Sequence, residues 1–274
     1  MIIKTLVENT SISDAYKCEH GLSLYIETKN HKLLFDLGQS DLFIENSKKL
    51  NINLTAVDTV VISHGHYDHG GGLRAFLSIN SKAKVYIHKR AFDKHYSLRA
   101  KDAFAYIGLD QELRNNERLI LTSEHLKIDD ELELISNIIG NELTSVSNKS
   151  LFKEDGNTMI EDSFDHEQSL IITEAENVIL IAGCAHKGIV NIVRHATSLK
   201  EKSMDFVIGG FHLYNSSRKI SETPELINKI ATCLDKTGSK YYTCHCTGLE
   251  AYSTLKVIMN KSIQYLATGS IIHI

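Results

Sequence analysis

Short apolar runs and amphipathic stretches alternate along most of the chain, and this alternation predicts an α/β fold. Residues 57–62 form a largely apolar run, which is typical of a strand buried on both faces. The other predicted strands are 22–27, 32–35, 84–88, 169–173, 178–182, 206–208 and 241–243, with short strands at the C-terminal end. The first predicted helix is capped by Ser40 and carries Leu42, Phe43 and Leu50, and the second runs from Gly70 through Leu77. Three more are predicted at 187–200, from 224 onward and at 248–259.

The stretch from about residue 89 to residue 165 is more polar and less regular than the rest. We expect it to form a cap or lid over a functional site. Because no sequence repeat or low-complexity linker divides the chain, residues 1–274 are predicted to form a single domain that contains this insertion. Mixed sheets with helices outside, and functional loops at the strand ends, predict an α/β sandwich.

Composition narrows the class of protein. A chain of 274 residues with 42% hydrophobic residues can bury a large core. The net charge of −4 argues against a broad nucleic-acid-binding surface. The sequence contains no apolar stretch of membrane-spanning length and no signal-peptide pattern at its start, so we expect no membrane partner. The five cysteines form no dense framework, which favours a reduced, cytoplasmic setting.

Potential metal-binding side chains are most concentrated directly after the predicted strand at 57–62. His64, His66, Asp68 and His69 fall within six residues, in the pattern H-x-H-x-D-H. Imidazole and carboxylate are ligands that suit a zinc-like divalent ion. His64 and His66 are two residues apart and point the same way on an extended segment, whereas Asp68 and His69 face a neighbouring position. One loop can therefore begin a two-ion site, but other segments must complete it.

Five other segments offer further ligands. Most contain a histidine beside small residues at the end of a predicted strand, which is where distant parts of a chain converge. The candidate residues are His20, His166, Cys184, His186, His212 and His245.

Taken together, these motifs resemble the metallo-β-lactamase superfamily. The narrower resemblance is to the branch named for the archaeal 7,8-dihydropterin-6-methyl-4-(β-D-ribofuranosyl)-aminobenzene-5′-phosphate synthase. It covers nearly the whole chain and depends on the order of the H-x-H-x-D-H loop and the segments EHGLS (19–23), FDLGQ (35–39), HEQSL (166–170), GCAHKG (183–188), GGFHL (209–213) and HCTG (245–248). The resemblance implies a four-layer αβ/βα sandwich, the metallo-β-lactamase fold, with a two-metal site at the sheet edge.

The resemblance also implies a ligand set. The residues that match the family's metal motifs are His64, His66, Asp68, His69, His166 and His245. Cys184 stands where most members have a bridging aspartate, so either its thiolate or His186 takes that role. His212 is expected to be a ligand, a substrate-contacting residue or a proton-transfer residue. Two divalent ions are implied, with zinc as the first expectation and iron, manganese or magnesium as alternatives.

Three functions are compatible with these residues. The first is a metal-dependent hydrolase of a small, phosphorylated substrate that uses a dinuclear site and metal-bound hydroxide, with Asp68 and either His186 or His212 as catalytic residues. The second is a dihydropterin-type synthase, in which pyrophosphate leaves a dihydropterin and no water is needed. The third is an iron redox or metal-binding protein, which soft sulfur beside imidazoles would suit.

Several residues are expected to have structural roles. Asp36 is predicted to orient the ligand loop, because a metal-bound imidazole needs its other nitrogen held in place. The single C-x-C pair, Cys244 and Cys246, is too small for a zinc ribbon. His95 belongs to no motif, and we predict a core or surface role for it.

Overall fold

The structure is a computed structural model that describes residues 1–99 and 103–274. The strands, in chain order, are β1 (Ile2–Val7), β2 (Ser23–Glu27), β3 (Lys32–Phe35), β4 (Thr59–Ile62), β5 (Lys84–His88), β6 (His95–Leu98), β7 (Phe104–Tyr106), β8 (Leu119–Thr122), β9 (Leu126–Lys127), β10 (Leu132–Ile135), β11 (Leu151–Asp155), β12 (Thr158–Glu161), β13 (Ser169–Glu174), β14 (Asn177–Ile181), β15 (Phe206–Gly209), β16 (Tyr214–Asn215), β17 (Ile220–Ser221), β18 (Lys240–Thr243), β19 (Ile263–Tyr265) and β20 (Ile271–His273). The α-helices are α1 (Leu42–Lys49), α2 (Tyr67–Gly70), α3 (Leu73–Ile79), α4 (Ile189–Lys200), α5 (Pro224–Asp235) and α6 (Leu249–Met259).

The described residues fall into two compact units. The first comprises Met1–Lys94, Ile107–Ser123 and Leu266–Ile274, and the second comprises the described parts of His95–Tyr106 and Glu124–Tyr265. Each unit has its own sheet and its own apolar core.

In the first unit, the described strands form a mixed sheet in the order β20-β1-β2-β3-β4-β5-β8. The predicted hairpin is confirmed, because β2 and β3 pair antiparallel with Leu24 opposite Phe35. From β3 to β8 the neighbours are parallel. All four residues of β4 are buried, as its apolar run predicts. Phe43 of α1 and Phe76 of α3 pack in this unit's core.

In the second unit, the described strands form a sheet in the order β19-β18-β15-β14-β13-β10-β9. Three of its central strands, β14, β15 and β18, are parallel neighbours. The core contains the apolar faces of α4, α5 and α6. As predicted, α5 begins with Pro224, and the Thr223 side chain caps it by accepting a hydrogen bond from the Leu226 N–H.

The predicted insertion at 89–165 contributes to both units. Its residues 107–123 belong to the first, and 124–165 belong to the second together with the described part of 95–106. Within the described residues, β12, β11, β6 and β7 form a separate four-stranded sheet. Residues 100–102 of the insertion lie outside the described part. A lid function for this region stays a prediction.

None of the helices in the described ranges has the length and apolarity needed to cross a bilayer.

Candidate metal centre

The H-x-H-x-D-H loop leaves the end of β4 in the first unit. Because β3 and β4 are parallel, the loops that follow them emerge at the same edge of the sheet. The loop's four predicted ligands are all buried, with exposed fractions of 0% for His64, 5% for His66, 8% for Asp68 and 0% for His69. Imidazole and carboxylate groups gathered in this way are the ligand types that suit a divalent metal ion.

The structure brings these four side chains together. His64 Nε2 lies 3.0 Å from His66 Nδ1, and the rings of His64 and His69 are 4.2 Å apart between centroids. Asp68 Oδ2 lies 3.7 Å from His69 Nε2 and 3.2 Å from His20 Nε2. His20 belongs to the EHGLS segment (19–23) and contacts the ligand loop through Asp68.

Asp36 holds the base of the loop. Its Oδ1 accepts the Ser63 N–H at 2.7 Å, and its Oδ2 accepts the Ser63 hydroxyl at 2.8 Å. The Nδ1 of His69 lies 2.6 Å from the same Oδ2. This contact leaves Nε2 of His69 as the nitrogen available to a metal ion. Asp36 therefore contacts both the start of the loop and a predicted ligand, and its orienting role stays a prediction. Asp36 has a φ of 60°, a left-handed conformation that is strained for a residue other than glycine.

In the second unit, candidate ligands follow three adjacent parallel strands. Cys184 and His186 follow β14, His212 follows β15, and His245 with Cys246 follows β18. The donor atoms of Cys184, His186 and His212 all lie within 4.8 Å of one another, as do those of Cys184, His245 and Cys246. The carboxyl ends of parallel strands thus gather the residues that the motifs predicted.

His186 is fixed by several neighbours. Glu167 accepts the backbone N–H groups of His186 and Lys187 at 2.7 and 2.9 Å. Asn148 donates to the His186 carbonyl at 2.8 Å, and its Oδ1 lies 3.1 Å from His186 Nδ1. The ring of Phe164 stacks on the imidazole at 4.4 Å and 3°. Burial raises the pKa of the Glu167 carboxyl, although the two backbone N–H groups oppose this shift.

His212 is also suited to bind a ligand. Its φ of 50° is left-handed. Both of its ring nitrogens are buried, and they have no hydrogen-bond partner among the described residues. Its ring lies 4.2 Å from that of His186. Buried ring nitrogens without partners are costly, and a metal ion or a substrate group would satisfy them.

The surroundings of His166 contain two residues that the sequence analysis missed. Asp162 Oδ2 lies 3.1 Å from His166 Nε2 and 2.9 Å from His95 Nδ1, and the two rings are 4.0 Å apart. Burial raises the pKa of Asp162, but its hydrogen bonds from His166 and His95 outweigh that effect and lower it. His95 is buried, and it belongs to a group of potential metal ligands with Asp162 and His166. No motif spacing connects these residues in the sequence.

Cys246 is a further residue to which the sequence analysis gave no site role. Burial raises the pKa of its thiol, whereas the neighbouring Cys184, His212 and His245 lower it, and the net direction is well below the usual value. Its only sequence signal is its place in the HCTG segment beside His245.

Comparisons with known proteins agree with this geometry. The sequence model of the family described as the metallo-beta-lactamase superfamily matches residues 16–146. An uncharacterized protein of Methanocaldococcus jannaschii is 31% identical over 265 residues, which are 94% of this chain and 95% of that protein. The crystal structure of Tm1679, described as a metal-dependent hydrolase of the beta-lactamase superfamily, is 29% identical and superposes with a TM-score of 0.85 over 100% of this chain and 99% of that one. This chain belongs to the metallo-β-lactamase superfamily.

Membership of the metallo-β-lactamase superfamily confirms the predicted fold. The predicted branch resemblance is also confirmed. The 7,8-dihydropterin-6-methyl-4-(beta-D-ribofuranosyl)-aminobenzene-5′-phosphate synthase of M. jannaschii is 27% identical over 288 residues, covering 98% of this chain and 95% of that enzyme. The histidine, carboxylate and cysteine groups in each unit are of the types that bind divalent metals in this superfamily.

Proposed function

We propose that this protein is a metal-dependent hydrolase that acts on a small phosphorylated substrate with two divalent metal ions. The observation that carries the proposal is the buried H-x-H-x-D-H cluster at the end of β4. Superfamily membership and the hydrolase description of Tm1679 support it.

The proposed metal ligands in the first unit are His64, His66, Asp68 and His69. Those proposed in the second unit are His166, Cys184 and His245. Their imidazole, carboxylate and thiolate donors fit zinc better than magnesium, which prefers oxygen ligands. Bound ions would lower the pKa of water and stabilise negative charge on phosphoryl oxygens.

The chain's own residues supply proton transfer. Asn148 Oδ1 accepts the Nδ1–H of His186. The other ring nitrogen of His186, Nε2, is therefore the atom that can carry a proton to a leaving group. His212 lies beside it and is the alternative general acid. Asp68, held by His20, is the carboxylate that orients the attacking water.

A basic cavity supports a phosphorylated substrate. Lys149, Arg218 and Asn215 help to line a cavity of about 350 Å³ in the second unit. Glu222 also lines it, but its carboxylate already accepts hydrogen bonds from Ser145 and Ser147. One wall is the short 3₁₀ helix Val146–Ser150, whose Asn148 holds His186. Lysine and arginine beside a residue that positions a general acid suit a phosphate group.

A dihydropterin-type synthase is the second candidate. The 27% identity to the M. jannaschii synthase over nearly the whole chain favours it. In that reaction pyrophosphate would leave a dihydropterin and an arylamine would attack in place of water. This function would be established instead if the protein released pyrophosphate only when both the dihydropterin and the arylamine were present.

The test of hydrolysis is a comparison of His66→Ala with His31→Ala. Both histidines lie in the first unit, but His31 contacts Asp58 outside the candidate metal centre. With phosphodiesters and phosphomonoesters as substrates, we expect His66→Ala to lose at least about a hundredfold in kcat/KM and His31→Ala to keep wild-type rates. Equal activity in the two variants, with both folded by circular dichroism, would contradict the proposal.

A further inference from the structure

Two thiols and an imidazole converge within the second unit. The Sγ atoms of Cys184 and Cys246 and a ring nitrogen of His245 lie within 4.8 Å of one another. The three residues are buried, with exposed fractions of 3%, 5% and 1%. They come from the loops after β14 and β18. The loop after β15 is hydrogen-bonded to both, because Gly210 N–H donates to the Gly183 carbonyl and Leu213 N–H donates to the Cys246 carbonyl.

The surroundings of Cys246 suit a thiolate better than an ordinary apolar side chain. The backbone N–H of His212 donates to Cys246 Sγ at 3.2 Å. Backbone N–H groups aimed at sulfur stabilise the negative charge of a metal-bound thiolate. Gly210 leaves room for this sulfur, because a Cβ at that position would lie 2.5 Å from it.

We propose that Cys246 and Cys184 bind the same divalent metal ion as two thiolate ligands, with His245 as the third ligand. The inference rests on the proposed function in that Cys184 and His245 face a metal ion, and it adds Cys246 to the site. His212 contributes its backbone N–H to the sulfur, so it positions Cys246 whether or not its imidazole also binds.

This ligand set determines which ion is preferred. Two thiolates and an imidazole favour zinc, cobalt or cadmium over magnesium and manganese, which prefer oxygen donors. Binding requires both thiols to lose their protons, which pass to solvent. In the metal-bound state the contact of the Cys246 thiol with the Cys184 carbonyl, at 3.5 Å, is replaced by a bond to the ion.

X-ray absorption spectroscopy of the zinc-loaded protein tests the inference without using activity. Zinc–sulfur distances near 2.3 Å are resolved from zinc–nitrogen distances of about 2.0–2.1 Å. We expect two sulfur neighbours per chain in the wild type, one in Cys184→Ser and one in Cys246→Ser. Cys233→Ser is the matched control, because Cys233 is partly buried on α5 and packs against the core of the same unit. It should keep both sulfur neighbours.

A measurement on the unmutated protein covers the case in which Cys246→Ser fails to fold. Alkylation mapped by mass spectrometry should label Cys184 and Cys246 at least about tenfold more slowly with zinc than after chelation, with Cys233 unaffected. A single sulfur neighbour that disappears only in Cys184→Ser would overturn the inference and leave the hydrolase proposal standing. Zinc protection of Cys184 alone would have the same meaning. Protein that binds no ion and hydrolyses no phosphoester would remove both proposals.

Discussion

At the residue scale, burial distinguishes two histidine–aspartate pairs with the same chemistry. The His69–Asp36 pair is fully buried, with a distance of 2.6 Å, whereas in the His31–Asp58 pair the side chains are 19% and 38% exposed at 3.1 Å. Water competes with the exposed pair and screens its charges, so that pair contributes little. The buried carboxylate must hold its partner in one orientation, because no solvent can replace it.

Asp36→Asn therefore tests whether this orientation matters. The amide cannot accept from Ser63 and His69 as the carboxylate does, so the His69 imidazole loses its fixed tautomer. We expect zinc affinity to fall by about ten- to a hundredfold, measured by competition with a chromogenic chelator. Asp58→Asn changes the other histidine–aspartate pair, which lies outside the candidate metal centre, and it should leave zinc affinity unaltered. Equal affinities in both variants would exclude an orienting role for Asp36.

Residues of the candidate metal centre could be predicted only where a recognisable motif lies at the end of a recognisable strand. The residues His64 to His69 follow a recognisable buried strand, and Asp36 follows its parallel neighbour. Asp162 and His95 were missed because their contact is made by folding of the irregular 89–165 region, with no spacing to signal it. Cys246 was missed because one C-x-C pair carries little information until Cys184 is placed beside it.

At the element scale, the short helix α2 is held by contact with a neighbouring turn. A Cβ on Gly71 would lie 2.3 Å from the Gln39 carbonyl oxygen and 2.5 Å from that of Tyr67. Glu19 fixes the same turn by accepting the backbone N–H groups of Gln39 and Ser40 at 3.1 Å. Close backbone approach thus sets the position of the helix that carries Asp68 and His69.

Gly71→Ala is expected to shift α2 and its ligands. Overpacking of this kind costs about 1–3 kcal/mol, which urea unfolding would measure, and zinc affinity should fall with it. Gly156→Ala is the control: nothing lies within 4 Å, so the substitution carries only the backbone cost of its positive φ. A Gly71→Ala protein with wild-type stability and zinc affinity would show that the turn can move to accommodate the methyl group, and that this close contact does not set the position of α2.

Asp205 links strands of the second unit. Its carboxylate accepts the Val178 N–H at 2.8 Å and contacts Lys202 at 3.0 Å. Partial burial raises the pKa of Asp205, but these two donors outweigh it, so the pKa lies below its ordinary value of 3.8. The carboxylate therefore contributes stability that is present above pH 3.8 and is lost as pH falls through the lower pKa of the folded state.

Asp205→Asn should remove that contribution. At neutral pH we expect a loss of about 0.5–1 kcal/mol, limited because the side chain is partly exposed. Below about pH 4 the difference from wild type should shrink, since the wild-type carboxyl is then also being protonated. Urea unfolding at a series of pH values measures both quantities. A difference that stays constant down to about pH 2 would rule out the ionised carboxylate as the cause.

Strand and helix positions were largely predictable, but their ends were not. The predicted strand at 57–62 begins at Thr59, because 54–56 form a short 3₁₀ helix before it. Asp41 occupies the N-cap of α1 in place of the predicted Ser40. The Ser40 hydroxyl donates to Glu19 and accepts the Leu42 N–H, so Ser40 still supplies a side-chain hydrogen bond to the first turn of α1, where Asp41 supplies none. The 89–165 region was beyond prediction because its short strands depend on long-range pairing, as between β6 and β11.

At the scale of the whole molecule, two separate cores raise the question of what metal binding adds to stability. Each unit buries its own apolar cluster, so each has a source of folding free energy independent of any ion. The two buried ring nitrogens of His212, which have no hydrogen-bond partner among the described residues, work against it, because polar groups in a core cost free energy until a ligand satisfies them. A bound ion offsets that cost in the folded state only.

We therefore expect zinc to raise the thermal unfolding temperature. Free zinc at a hundred times its dissociation constant stabilises by about 2.7 kcal/mol per site, which corresponds to about 5–10 °C for a chain of this size. Differential scanning calorimetry with zinc and with a chelator measures the shift. His64→Ala should abolish most of it, whereas His125→Ala changes an exposed histidine paired with Glu133 and should retain it. If chelation leaves the unfolding temperature of the wild type unchanged, the buried imidazoles and thiols are stabilised by the protein alone, and the metal assignment is wrong.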